Sequence, residues 1–402
     1  MIASARRADI AYVASLAVSG IALIVLGVAQ LRIDTLGRDD FTLYTAGARA
    51  LLIGADPYDV ATWGETAARV GADPFDTVVY AYPPWAALAL VPFALLPLRI
   101  AGALWSVIGM TAAALTVRAL LRAYLPGRAW AHAVVGTLVL MSAPAVVTLL
   151  TGQWPFVFVT MLGALVLLLR ADRPVAAGVV AAGMLVKPQL FVFAAAALAV
   201  RALWPGASRA GRAFVISATA AGIAMVAVSW ILVPSWWPTW FQRSPAVLLG
   251  IEPVTIQTLF LQLFGPDGGW IAAPVLLAMV AAGLQFHPLG NGWLPVWFAL
   301  SSAGVVYSNT YDLLLLIVPV VLAAGALTSR RRAAVVIIAG AVLLFFVMWY
   351  LHTVYARGYA AGVSLLVFVI ITAALWPQRR ELGTGFTDSV TSAPGSAGSS
   401  RP

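Results

Sequence analysis

The chain is 402 residues long, 62% hydrophobic and only 10% charged, with a mean hydropathy of +0.95. Such a composition excludes a soluble domain of this length and predicts an all-α polytopic membrane protein. Its net charge of +9 is carried by arginines dispersed between apolar runs, which argues for membrane topology and against a nucleic-acid surface. With no cysteine and three scattered histidines, His132, His287 and His352, neither a disulfide framework nor a zinc set is available, and no metal or cofactor is expected.

The first apolar run, 10–31, follows Arg6-Arg7 and lacks a small-residue cleavage pattern, so it reads as a retained helix. A long polar loop, 32–84, comes next and holds eight of the fifteen acidic residues. It opens Arg38-Asp39-Asp40-Phe41-Thr42-Leu43-Tyr44. Leu43, Ala46, Ala50 and Leu51 have helical spacing over 42–52, with Gly54 as a stop and Asp56-Pro57 as a turn; this predicts an amphipathic helix lying on the bilayer. The run 83–97 is too short to span and carries prolines at 83, 84, 92 and 97, so a re-entrant or interfacial segment flooring a cavity beside the acidic loop is expected.

Further apolar runs occupy 100–122, 131–150, 155–170, 174–187, 189–202, 213–233, 270–286, 293–307, 311–327, 333–350 and 358–376, giving about twelve predicted transmembrane helices in one domain, 1–376. Alternation from Arg6-Arg7 inside puts Arg118, Arg122, Arg128, Arg170, Arg173, Arg201, Arg209, Arg212, Arg330 to Arg332, Arg379 and Arg380 on the cytoplasmic side, with both termini. Residues 377–402 turn rich in Gly, Ser and Thr and read as a disordered cytoplasmic tail.

The outer face then collects the loop 32–84, Thr151 to Trp154, Lys187 to Gln189, 234–257, Ser308 to Asp312 and 351–357. Lys187 is the only lysine, and the two runs flanking it are each about 14 residues, or about 21 Å against a hydrocarbon core of about 30 Å. Its ammonium is therefore expected to be recessed, as a partner for a phosphate or as one half of an internal ion pair with Asp312. Asp40 can act as a general base or cap the following helix; Asp39 reads as a cap or surface residue. Asp312 can equally start a helix or serve the site. Gln153 can orient a hydroxyl or phosphate, or satisfy loop backbone. Tyr58, Tyr80, Tyr82, Trp63 and Trp85 can stack on sugar rings or belong to the aromatic belt, and Trp236, Trp237 and Trp240 read as interface anchors. Arg243, Glu252, Gln257 and Arg357 are outer-face polar residues that can line an acceptor site or face solvent.

Taken in order, Asp40-Phe-Thr-Leu-Tyr44 with Gly54 and Pro57-Tyr58, Tyr82-Pro83-Pro84, Gly152-Gln153 and Lys187-Pro188-Gln189 resemble glycosyltransferase family 87, over most of the chain to about residue 330. That resemblance implies a GT-C fold and inverting transfer of a sugar, mannose first, from a polyprenyl-phosphate carrier to a lipid-linked or cell-envelope glycan acceptor outside the membrane. It maps the family's acidic residue onto Asp40 and places Lys187 to Gln189, with Gln153, near the donor phosphate. Asp39, Tyr44, Tyr58, Tyr82, Asp312, Gln257 and Arg357 are the substrate-lining candidates. Family mannosyltransferases carry histidine where this chain has Tyr311-Asp312, which leaves arabinose and glucose carriers as alternatives. A lipid or sugar transporter is the rival reading, although the internal repetition transporters show is not evident here.

Overall fold

In the computed structural model the described residues are 2–30, 39–69, 80–203, 208–240, 254–286, 292–305, 307–327, 329–353 and 357–379. Every regular element among them is helical. Of the expected tail, only 377–379 fall within the described residues; Arg243 and Glu252 lie outside them.

The protein is an integral membrane protein by the length and apolarity of its helices. Among the described residues seven are long and apolar enough to cross a bilayer: Ala3–Val25, Leu98–Tyr124, Ala129–Thr151, Arg209–Leu232, Pro266–Leu284, Arg330–Leu351 and Ala361–Gln378. Five of the other expected spans are shorter helices, Pro155–Arg170, Pro174–Val186, Val192–Leu203, Trp293–Ala303 and Thr310–Ala326. At 1.5 Å per residue Pro155–Arg170, 16 residues long, reaches about 24 Å, and the other α-helices among these are shorter. Of the twelve expected spans, seven are thus full-length helices among the described residues.

Long and short helices divide the work of packing. Helix α1 (Ile2–Gln30) and α11 (Arg209–Leu232) leave most of their surface uncovered; of α11 only Phe214 and Ser229 are buried. In contrast, every residue from Thr310 to Ala324 is buried, and nine of the eleven residues of Trp293–Ala303. Helices apolar all round belong in a core or in lipid. Here Trp293–Ala303 and Thr310–Ala326 take the core together with the long helix Ala129–Thr151, and the breaks between the helices bring polar backbone and side chains to meet inside protein, the one place where interrupted backbone survives at membrane depth.

The acidic loop folds as α2 (Asp39–Leu52) and α3 (Val60–Arg69). Helix α2 does not present its apolar face to a bilayer as expected. Phe41, Tyr44, Ala46, Ala48 and Ala50 are buried, with α2 packed on α4 (Pro84–Ala94). Small residues permit this approach: a Cβ on Gly47 would lie within 2.3 Å of the Tyr80 ring, closer than any real contact. Arg49 fastens the two helices by donating from Nε to the Ala94 carbonyl (3.0 Å) and from Nη2 to that of Leu96 (2.8 Å), answering carbonyls left open at the α4 C-terminus. With Pro92 inside it and eleven residues in length, α4 is too short to cross a membrane.

Trp236, expected at an interface, is instead wholly buried and packs edge-on against Trp85 at 5.5 Å. Trp240 donates its indole N–H to the Ala81 carbonyl (2.8 Å), and Ser235 bonds to Asp56. These residues clamp the acidic loop, whose Tyr- and Trp-rich edge gives the indoles aromatic partners; Trp237, 42% exposed, packs against Trp230 and Trp236. At the opposite end of α1, Asp9 bridges Arg118 (3.2 Å) and Arg122 (2.6 Å) of α5 (Leu98–Tyr124).

Candidate active site

Five separate segments deliver one polar chain to the heart of the helical core. Helix α2 supplies Tyr44. The stretch before α4 supplies Tyr82. The junction between α7 (Ala143–Thr151) and α8 (Pro155–Arg170) supplies Gln153. The break between α9 (Pro174–Gly183) and α10 (Val192–Leu203) supplies Lys187, and the turn beginning Thr310–Ala326 supplies Asp312.

Each break has a local cause. Gly152 takes a left-handed φ of 68°, ending α7, and its carbonyl is held by the Trp105 indole N–H at 2.8 Å. Pro155 then opens α8, so Gln153 stands between two helices with its side chain 2% exposed. After α9 the chain tightens into two short 3₁₀ turns, Met184–Val186 and Pro188–Leu190, and Lys187 lies between them in a non-helical conformation, as expected of a residue that precedes proline.

The Lys187 ammonium lies 3.2 Å from Asp312 Oδ1, 3.3 Å from Gln153 Oε1 and 4.8 Å from the centre of the Tyr311 ring. Three partners account for its three N–H groups. The internal ion pair, left open by the sequence, is thus present. Asp312 is doubly employed, since its other oxygen accepts from the Asn309 backbone N–H at 2.9 Å as the helix-start reading anticipates. Asn309 in turn donates its side-chain N–H to the Tyr311 hydroxyl (2.7 Å) and the Tyr307 hydroxyl (3.3 Å).

On the other side of Gln153, Tyr44 Oη donates to Gln153 Oε1 at 2.5 Å and lies 2.9 Å from Tyr82 Oη. The Tyr44 ring meets those of Tyr82 (4.7 Å) and Trp154 (5.8 Å). Tyr58 donates to the Tyr82 carbonyl and packs edge-on against Tyr80 at 5.6 Å. Burial, reinforced by nearby phenols and carboxylates, holds the Tyr44, Tyr58 and Tyr82 hydroxyls well above their ordinary pKa, so all three remain protonated.

Asp40 lies one helical turn before Tyr44 on the same face of α2, and its charge acts on Tyr44, Tyr82 and Tyr311. It is half-buried. Because α2 begins at Asp39, Asp40 sits inside the first turn, where a carboxylate also complements the helix dipole. Asp39 and Arg357 have backbone in α2 and in the turn Arg357–Ala360, but their side chains fall outside the described residues.

Other expected residues do not converge. Gln189 is half-buried and outside the chain of hydrogen bonds. Gln257 lines a separate cavity of about 510 Å³ with Thr255, Trp270 and Val305. Nor do residues 83–97 floor the larger cavity, of about 640 Å³; that one lies between α8, α9, α10 and α11 with an almost wholly apolar lining that includes Met184 and Leu185, just before Lys187. Asn309, Tyr307 and Trp105 escape a reading by residue type, though the Asn-x-x-Asp spacing of Asn309 and Asp312 is a capping pattern visible in the sequence. Among the described residues no group of His, Asp or Glu could hold a metal ion.

A model of glycosyltransferase family 87 matches residues 80–319, more than half of the chain. That stretch includes Tyr82, Gln153, Lys187 and Asp312; Asp40 and Tyr44 precede it and reach it through the Tyr44 hydrogen bonds. No match was found among curated proteins or among solved structures.

Proposed function

The chain belongs to glycosyltransferase family 87, a family of transferases, and from that premise we propose that it moves a sugar, mannose in the first instance, from a polyprenyl-phosphate carrier to a lipid-linked or cell-envelope glycan on the outer side of a bacterial plasma membrane. The observation that carries this reading is the placement of Asp40, a half-buried carboxylate one turn from Tyr44, over a buried hydrogen-bonded chain at the ends of interrupted helices. Asp40 takes the proton of the acceptor hydroxyl as that oxygen attacks the anomeric carbon. The bond to the carrier phosphate breaks on the opposite face, so configuration inverts.

The apolar cavity between α8, α9, α10 and α11 suits the carrier's hydrocarbon tail, and it adjoins the turn that leads into Lys187. A phosphate leaving group departs with its charge already delocalised, so the protein need only favour negative charge nearby. The N-terminus of α8, beside Gln153, and the Lys187 ammonium supply that field. Lys187 does this from within its ion pair. Its principal work is to hold Gln153 and, through it, Tyr44 and the helix that carries Asp40. In this arrangement twelve membrane crossings, the five shorter helices included, keep both termini cytoplasmic and the site outside.

The test is transfer from radiolabelled polyprenyl-phosphate-mannose to membrane lipid acceptors by purified protein in liposomes, beside the Asp40→Asn variant. Product from the native protein alone supports the proposal. If neither forms product from mannosyl, arabinosyl or glucosyl carriers, the reading gives way to transport.

A further inference from the structure

The direction of every hydrogen bond in the buried chain can be assigned from a single fixed point, the Lys187 ammonium. An ammonium only donates, so the Gln153 amide must turn its oxygen, not its NH₂ group, toward Nζ. The same oxygen lies 2.5 Å from Tyr44 Oη, and two oxygens so close require a proton between them. Tyr44 has one proton, and it is spent there. Across the 2.9 Å contact between Tyr44 and Tyr82 the donor is therefore Tyr82. Burial keeps both phenols protonated, so the order persists at neutral pH. The chain runs from Tyr82 to Tyr44 to Gln153, and Lys187 meets it at the same oxygen.

This order decides what the outer end of the chain can bind. Tyr82 has given up its proton inward and can only accept from a ligand. Asp40, whose charge acts on Tyr82, is a carboxylate and also only accepts. Asp40 stands one turn before Tyr44 on the same face of α2, and Tyr44 Oη is 2.9 Å from Tyr82 Oη, so both acceptors belong to the same end of the chain. Together they disfavour phosphate and carboxylate oxygens and suit a molecule with two neighbouring donors. On the transferase reading that molecule is the sugar acceptor. We propose that Tyr82 Oη accepts a hydrogen bond from the hydroxyl next to the one that Asp40 deprotonates, so that the acceptor is recognised through a vicinal diol, with Lys187 acting as the positioning residue that fixes the polarity.

Donor and acceptor sites are separated by this argument. The carrier phosphate is kept on the Lys187 and α8 side, and the hydroxyl-bearing ring on the Tyr82 and Asp40 side. Tyr82→Phe removes a single oxygen at the end of the chain and leaves the Tyr44 to Gln153 bond in place.

The experiment uses full-length protein in liposomes with polyprenyl-phosphate-mannose and a panel of octyl mannosides, glucosides and galactosides, each with its monodeoxy analogues. Release of mannose to water is recorded alongside transfer. Tyr82→Phe is expected to raise the KM for the best octyl glycoside roughly tenfold, the scale of one lost hydrogen bond, without raising the KM for the donor. The native protein should suffer the same loss on the one analogue lacking the neighbouring hydroxyl, and Tyr82→Phe should lose nothing further on that analogue. If Tyr82→Phe does not fold, the native protein's loss on that single analogue carries the test.

An unchanged acceptor KM, a raised donor KM, or equal losses on all analogues would overturn the inference. So would native protein that releases mannose to water yet transfers to no glycoside in the panel. A native protein that neither transfers nor releases mannose overturns the transferase reading itself.

Discussion

Lys187 and Asp312, 125 residues apart in the chain, meet at 3.2 Å with side chains only 4% and 2% exposed. Removing one partner leaves the other's charge buried alone, which costs about 3–5 kcal/mol, whereas replacing both by apolar groups is close to neutral. Lys187→Met and Asp312→Leu should each lower the thermal unfolding temperature of the detergent-solubilised protein sharply, and the double variant should recover most of it. Additive losses in that cycle would show that the two charges are not coupled. The double variant should still be inactive, because Gln153 then has no ammonium to orient it.

Asp40→Asn keeps the size and the helix of Asp40 and removes only its basicity. The variant should insert and unfold like the native protein, within about 1 kcal/mol, the worth of a charge in a first helical turn. Transfer should fall by roughly 10²–10⁴-fold, the usual contribution of a general base. A variant that lost stability but kept its turnover per folded molecule would assign Asp40 to the helix dipole.

Gly47→Ala places a methyl group within 2.3 Å of the Tyr80 ring, which is locked among Tyr58, Trp63 and Tyr82 and has no room to retreat. The expected cost is about 1–3 kcal/mol, as for other overpacked contacts. Activity should fall further than stability alone explains, since the displaced ring moves Tyr82. Thermal unfolding and turnover measured on the same preparation separate the two effects.

Alkaline pH should destabilise the protein through the same aromatic group. Tyr44, Tyr58 and Tyr82 are raised well above the ordinary value of 10.0 by burial, so the folded state retains protons that the unfolded chain releases there. The stabilisation they represent is complete below pH 10 and disappears as pH climbs toward their folded values. Each contributes a slope of up to about 1.4 kcal/mol per pH unit above 10. Denaturant unfolding of Tyr44→Phe between pH 9 and 11 should show a shallower decline than the native protein, and identical slopes would contradict the burial.

Much of this arrangement was legible in the residues. A lone lysine between two runs too short to span, followed by proline, marks a break between helices, and Lys187 lies buried in one. The aspartate that pairs with it was nameable, because few acids exist outside the first loop. Partners of uncharged groups were not. Tyr44, Tyr82 and Gln153 meet from positions up to 109 residues apart, and nothing in a hydroxyl or amide tells which of many it will find. Helix α2 was misplaced for a related reason: amphipathicity reveals that one face is covered, not whether lipid or protein covers it. Gly47 against Tyr80 made it protein.

The separation of Lys187 from Asp312 also governs how the protein is made. At about 5–20 residues per second, the ribosome reaches Asp312 roughly 6–25 s after Lys187. Throughout that interval the nascent chain carries an ammonium bound for a buried place in the protein without the carboxylate that pairs with it there, so the α9 and α10 pair cannot settle as it stands in the finished protein. It must wait near water or borrow a partner from the insertion machinery. The site is thereby assembled late, and a ribosome that stalls before Asp312 leaves a chain whose own lysine opposes its burial.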